Sequence, residues 1–549
     1  MSIPFSRMTS GSTTSNFSRR IWFTRSHRRR ASCDSTGTGR TGRSNAAQNP
    51  ARAIRPVRTF RSMDPPRCLE FRADTAQTSR SSSSPSSWTH RTRPLRGHQM
   101  NPTGPLAPDG GPGTLSGMPI LARRLADLGT ENAFKVNDDI QVCLDRGMDV
   151  IRFNIGAPDF RSAPHLNAVA VAELEAGNSG YCDAAGLPSF REAIARHVSA
   201  TRGIDAGADQ VVVTPGAKPP IGYTFQTYVD RGDEVVYPSP GFPIYESWAT
   251  FVGARPVPLH LSEEKGFAFT ADDLGALLTE RTRLIILCSP SNPTGGVLSA
   301  EDLAGIAAVI RERCHPDVRI YSDEIYEHIL FDGLEHQSIA WHAGMAERTV
   351  IASGHSKGFA MTGWRLGWAV LPTPEEADVF KNLNINIMSC VPPFLQEGGR
   401  AAYEDPETAG VVADMVGAFE RRRDFIVPAL NAIEGLSCRL PKGAFYVFPN
   451  VSGMCERLGV FEAHDAMPPK SRARTTPSGM LQMFLLYRYG VATMDRASFC
   501  RIGSEGQHFL RVSIANSMED IERGVARIER AADDPDGFRE FLATECLWD

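Results

Sequence analysis

Apolar runs and helical stripes alternate along the chain from about residue 116 onward. GLPSFREAIARHVSATRG (186–203) sets Phe190, Ile194 and Val198 on one helical face, with Gly203 as a stop. DQVVVTPGAK (209–218) is a short β-branched run ending in a Pro/Gly turn, and DEVVYPSPGF (233–242) repeats that form. RLIILCSPSNPTGG (283–296) is apolar without alternation, the pattern of a strand buried on both faces. The helix expected after it has Ser299 and Asp302 as a cap and Leu303, Ile306, Ala307 and Ile310 as its apolar stripe. VRIYSDEIY (318–326) and RTVIASGHSKG (348–358) read as two more strands running into polar loops. This order predicts an α/β fold with a mostly parallel sheet covered by helices. Ligands of such sheets sit beyond the carboxyl ends of the strands, so chemically useful residues should follow the apolar runs.

The C-terminal part differs. FYVFPN (445–450) and FLRVSIANS (509–517) read as strands beside helices, and Ser517 caps a helix carrying Ile521, Val525 and Ile528. The expected organisation is a tail over 1–115, an N-terminal arm and part of a small domain over 116–163, a large domain over 164–424 and a small α+β domain over 425–549. Residues 461–480, containing PPKSRARTTPSG, read as an exposed insertion or loop.

Charge separates the tail from the rest. The chain has 549 residues and a net charge of −4, yet residues 1–100 hold 19 Arg, no Lys and four acids, or 19 − 4 = +15. The remainder is therefore −4 − 15 = −19. The tail is also rich in Ser, Thr, Pro and Gly and shows neither apolar period, so it is expected to be disordered. A transit segment, a basic arm and an over-long start, with Met100 or Met118 opening the functional chain, all fit that composition. The acidic body disfavours nucleic-acid binding. No run approaches the roughly 18 apolar residues of a membrane span. Eleven scattered Cys without a C-x-x-C pair suit free thiols in a reducing, cytoplasmic setting better than a disulfide scaffold.

Lysine is scarce: seven residues, of which only Lys218 and Lys357 follow buried strands. Lys357 lies in SGHSKGFAMTGWRLGW (353–368), with Ser356 before it and Arg365 eight residues on. Around it stand NIGAPDF (154–160), YCDAAGLPSFREAI (181–194), TPGAK (214–218), YPSPGFPIYES (237–247), SPSNPTGG (289–296), SDEIY (322–326), PKGAFYVFP (441–449) and FLRVSIANS (509–517). In this order the segments resemble the class I/II pyridoxal-phosphate (PLP) aminotransferases, and in particular their bacterial aspartate subgroup. The resemblance covers about residues 116–535. It implies PLP fold type I, with a seven-stranded, mostly parallel sheet in the large domain and a smaller α+β domain.

The resemblance also implies roles. Lys357 is the lysine that carries the cofactor aldehyde and moves the substrate α-proton. Asp323 pairs with the protonated pyridine nitrogen, keeping the ring an electron sink. Tyr326 and Asn292 hydrogen-bond the ring oxygen, and Phe242 stacks on the ring. Gly216 and Ala217, at a strand-to-helix junction, together with Ser356 and Arg365 hold the phosphate. Tyr181 reaches the phosphate of a neighbouring subunit, which makes the active unit at least a homodimer. Arg511 clamps the substrate α-carboxylate, Gly156 lets the backbone approach the substrate, Asn292 also borders the substrate, and Lys218, counted with the cofactor-binding residues too, contacts the distal carboxylate of aspartate or glutamate.

Each residue also has a plain structural reading. Asp323 is a natural helix N-cap, Asn292 a turn residue, Phe242 core, and Arg365 a surface ion-pair former. His355 stands where many relatives have Phe and receives no role. MDRASFCRIGSEGQHFLR (494–511) lacks the Pro-Gly turn usual before its Phe, and the 455–490 segment is longer than in relatives. The expected activity is transfer of an amino group from an L-amino acid to a 2-oxo acid such as 2-oxoglutarate. Aspartate is favoured as donor, and aromatic or alanine-like donors stand second. A carbon–sulfur β-lyase on the same fold is the alternative. A regulator using this fold as a sensor would need a folded DNA-binding domain, and residues 1–115 show no helical period.

Overall fold

The structure, a computed structural model, describes residues 122–129, 132–545 and 547–548. The basic tail expected over 1–115 lies outside these residues. A short strand β1 (Ile151–Arg152) precedes seven strands that form one sheet. They are β2 (Val211–Thr214), β3 (Glu234–Ser239), β4 (Arg255–His260), β5 (Thr282–Cys288), β6 (Arg319–Asp323), β7 (Thr349–Gly354) and β8 (Gly367–Val370). Their spatial order is β2-β8-β7-β6-β5-β3-β4, and only β8 runs against the rest. β2, β3 and β7 are buried at every position. Helices cover both faces, so these strands show no polar alternation.

The edge strand β4 is different. Its sequence RPVPLH carries two prolines and is largely solvent-accessible. Proline cannot donate to a ladder, and an edge tolerates that. The apolar pattern gives little sign of this strand or of β8.

The capping signals act as read. Ser299 Oγ accepts from Asp302 N, Ser517 Oγ accepts from Asp520 N, and Gly203 ends its helix in the left-handed region. Leu303, Ile306, Ala307 and Ile310 are all buried.

A helix of 26 residues, Pro406–Asn431, runs on past the sheet, and the boundary expected after residue 424 falls inside it. Beyond it come β9 (Tyr446–Val447), β10 (Val491–Ala492), β11 (Met494–Asp495) and β12 (Leu510–Ser513). β11, β12 and β9 form an antiparallel sheet, while β10 pairs in parallel with β1.

The exposed loop expected over 461–480 is instead helical. Helices span Val460–Ala466, Pro469–Arg472 and Pro477–Tyr489. Thr476 caps the last one and Pro477 opens its first turn, so residues that resemble loop punctuation are a helix start. Within 461–480 only Ser478 and Met480 are buried, so the segment is largely accessible as expected, but it is helical, and its last helix carries Leu481, Phe484 and Leu485 into the core.

Candidate active site

The carboxyl ends of the parallel strands converge on one cavity of about 410 Å³. Every expected site residue lines it except Gly216 and Tyr181. β2 leads to Ala217 and Lys218, β3 to Phe242, β5 to Asn292, β6 to Asp323 and Tyr326, and β7 to Ser356 and Lys357. Arg511 enters from β12 and Gly156 from the segment after β1. Lys218, Lys357, Arg365 and Arg511 are the basic lining residues, and Asp323 is the acidic one. Such a cavity attracts anions.

Gly216 lies behind the wall. Its φ is +89°, and a Cβ there would come within 2.3 Å of Arg365 Nη2. Glycine therefore lets the guanidinium close over the turn at the start of the helix Lys218–Tyr228. Arg365 donates to the carbonyls of Thr362 and Pro215. These partners are backbone carbonyls beside the cavity rather than a surface carboxylate. Backbone N–H groups at a helix start beside a guanidinium suit a phosphate.

Asp323 ends β6 and no helix follows, so it is not an N-cap. Its Oδ2 accepts from Tyr245 Oη at 2.6 Å. Burial pushes its carboxyl up to about 6, against the pull of the Tyr245 hydrogen bond. A pyridine nitrogen that holds a proton is the cationic partner this carboxylate fits.

Lys357 lies in the one-turn helix His355–Gly358, and its Nζ donates to the Gly156 carbonyl at 2.5 Å. Arg511 is 5 % exposed; its Nη1 donates to Asn292 Oδ1 and its Nη2 to the Asn154 carbonyl. Asn292 is thus more than a turn residue. Phe242 is half-buried, with Lys218 Nζ 5.7 Å from its ring centroid. Tyr181 is 91 % exposed and away from the cavity.

Several residues at the site carry no chemical signal in the sequence. Tyr245, Tyr446 and Asn154 all occur in quoted motifs, but nothing in the one-dimensional pattern marks a contact with Asp323, Tyr326 or Arg511. His355 stays outside the cavity. Its Nε2 donates to the Gly399 carbonyl, and burial holds the imidazole down at about 3, hence neutral.

The turn that replaces Pro-Gly is built on a buried arginine. Arg496 donates to the carbonyls of Phe499 and Cys500 and to Ser239 Oγ. It thereby fixes the loop that places Ser498 and Phe499 on the cavity wall. Outside the cavity lining, His197, Glu327 and His328 cluster at metal-ligand spacing. Arg202 already meets Glu327 at 2.6 Å, and a guanidinium there disfavours a cation.

Comparison with known proteins agrees with this geometry. Residues 148–528 match the family Aminotransferase class I and II, and the chain belongs to that family. The chain is 34 % identical to the "Probable aspartate/prephenate aminotransferase" of Aquifex aeolicus over 415 residues, 75 % of this chain and 99 % of that one. It is 33 % identical to "Aromatic-amino-acid aminotransferase 2" of Thermococcus litoralis, over 69 % of this chain and 91 % of that one. Among solved structures it resembles the aspartate aminotransferase of Rhizobium meliloti, with a TM-score of 0.67 and 30 % identity, covering 75 % of this chain and 98 % of that one. The fold is PLP fold type I, and the protein is a PLP-dependent amino-acid transaminase.

Proposed function

We propose that the amino donor is aspartate, with 2-oxoglutarate as acceptor, and that the cavity residues divide the work as follows. Bound PLP supplies a reactive carbonyl and an electron-withdrawing ring. Lys357 would hold it covalently, and its amine, in the cavity beside the expected substrate position, would serve as the general base for the substrate α-proton. Asp323 would pair with a protonated ring nitrogen, and that cation would favour its ionised form. Tyr326 and Asn292 would hydrogen-bond the ring oxygen, and Phe242 would stack on the ring. The N–H groups of Gly216 and Ala217, with Ser356 and Arg365, hold the phosphate. Arg511 would orient the α-carboxylate, and Gly156 would let the backbone approach the substrate.

The observation that carries the choice of substrate is Lys218 in the same cavity as Arg511, two cations for a dicarboxylate. The name of the Aquifex aeolicus relative supports it. The test compares aspartate with phenylalanine on Lys218→Ala. The expected result is a KM for aspartate raised roughly tenfold or more, with phenylalanine nearly unchanged. Equal losses for both substrates would remove Lys218 from this role.

The same reading includes a cytoplasmic homodimer. Tyr181, exposed and absent from its own cavity, is free to serve a partner's phosphate site, and Ile385 and Ile387 are exposed apolar residues suited to an interface. The eight cysteines among the described residues are free thiols. No helix among those residues is long and apolar enough to cross a membrane. Mixing Tyr181→Ala with Lys357→Ala subunits should restore activity to one site in a mixed dimer. No gain on mixing would contradict the shared site.

A further inference from the structure

Tyr446 has no role in the reading above, yet it touches both of its halves. It sits on β9, 1 % exposed, and lines the cavity. Its hydroxyl is 2.9 Å from that of Tyr326. The Arg511 guanidinium carbon lies 4.5 Å from its ring centroid and 4.8 Å from that of Phe499. Register explains the second contact. Tyr446 pairs with Ser513 on β12, so Arg511, two residues back, is its diagonal neighbour on the same face. Gly156 completes the arrangement, because a Cβ there would come within 2.4 Å of the Tyr446 oxygen. One side chain therefore bears on the phenol expected at the cofactor ring and on the guanidinium expected at the substrate carboxylate.

We propose that Tyr446 is a positioning residue with two separable actions, a hydroxyl that orients Tyr326 and a ring that holds the Arg511 guanidinium. This rests on the roles given above to Tyr326 and Arg511. A tyrosine has one hydroxyl proton. If Tyr326 gives its proton to the ring oxygen, Tyr446 must be the donor in the pair. Donation from Tyr446 then strengthens the Tyr326 hydrogen bond and favours the ionised ring oxygen. The ring acts on Arg511 through its π-face, which survives loss of the hydroxyl.

Two variants of the PLP-loaded enzyme separate these actions, using the pH titration of the visible absorbance of the lysine-bound cofactor and the binding of maleate, an unreactive dicarboxylate. Tyr446→Phe should move the titration midpoint upward by about half a pH unit while maleate binds within roughly twofold of wild type. Tyr446→Leu should move the midpoint likewise and weaken maleate roughly tenfold. Both must keep wild-type cofactor content and far-ultraviolet circular dichroism. A midpoint in Tyr446→Phe that is unchanged or lower overturns the first action. Wild-type maleate affinity in folded Tyr446→Leu overturns the second. If wild type itself lacks the band or does not bind maleate, the functional reading fails. If wild type responds and the variants match it, only the role of Tyr446 fails.

Discussion

Asp323 and Glu324 are neighbours in sequence and opposites in circumstance. Asp323 faces the cavity with Tyr245 as its side-chain partner, and burial pushes it up to about 6. Glu324 turns away from the cavity. Burial works against its charge too, but Arg202, His336 and Ser338 outweigh that and hold its carboxyl down at about 2. The next pair repeats the contrast: Tyr326 lines the cavity, while Glu327 is buried against Arg202, His197 and Ser353 and held well below its ordinary value. The strand end thus carries carboxylates of two kinds. One kind is satisfied by the protein and serves the fold, and the other suits a cationic ligand and serves the chemistry.

Substitution on the two sides should therefore fail in different ways. The largest effect belongs to the cavity side. Lys357→Ala should bind PLP noncovalently and lose transamination by at least about a thousandfold, with an unchanged thermal midpoint. Turnover at the wild-type rate would refute the assignment of Lys357.

The far side should break the fold instead. Arg202→Met strands two buried carboxylates and should cost about 3–5 kcal/mol in denaturant unfolding. A cost below about 1 kcal/mol would mean that Glu324 and Glu327 are not held as described.

The pH dependence sharpens the contrast because the two carboxylates shift in opposite directions. Glu324 is lowered, so its contribution is present above about pH 4.5 and is lost as pH falls towards 2. Asp323 is raised, so the cofactor-free fold loses stability as pH rises from about 4 to 6. Asp323→Asn should therefore stabilise the cofactor-free protein at pH 7 by about 1–3 kcal/mol while crippling transamination. Destabilisation at pH 7 would place Asp323 among the structural carboxylates.

The smallest effect is expected at His355. Its neutral imidazole packs near Phe190, Phe359 and Tyr403, outside the cavity. His355→Phe should change stability by no more than about 1–2 kcal/mol and leave kcat and KM alone. A marked change in kcat would give this position a part in the chemistry.

The cavity side was largely legible in the sequence, and the far side was not. Residues that follow apolar runs fall at strand ends, so local pattern and family order mark Asn292, Asp323 and Lys357. Arg202 lies more than a hundred residues from Glu324 and Glu327, at the end of a helix whose stripe explains only its apolar face. Nothing local pairs them. Tyr446 and Tyr245 were hidden for a related reason, because an aromatic residue in an apolar run reads as core whether or not its hydroxyl reaches a site. The helices over 460–489 are hard to read because Pro, Ser and Thr mark loops and helix starts alike, and the Thr476 cap with Pro477 in the first turn is the local feature that separates the two.

The most direct test of the account is a half-reaction on PLP-loaded protein. L-aspartate is added without an oxo acid, and the visible absorbance of the lysine-bound cofactor is followed. The account expects that absorbance to be lost to the pyridoxamine form and restored by 2-oxoglutarate. Absorbance that persists in aspartate but is lost in phenylalanine would contradict the dicarboxylate reading.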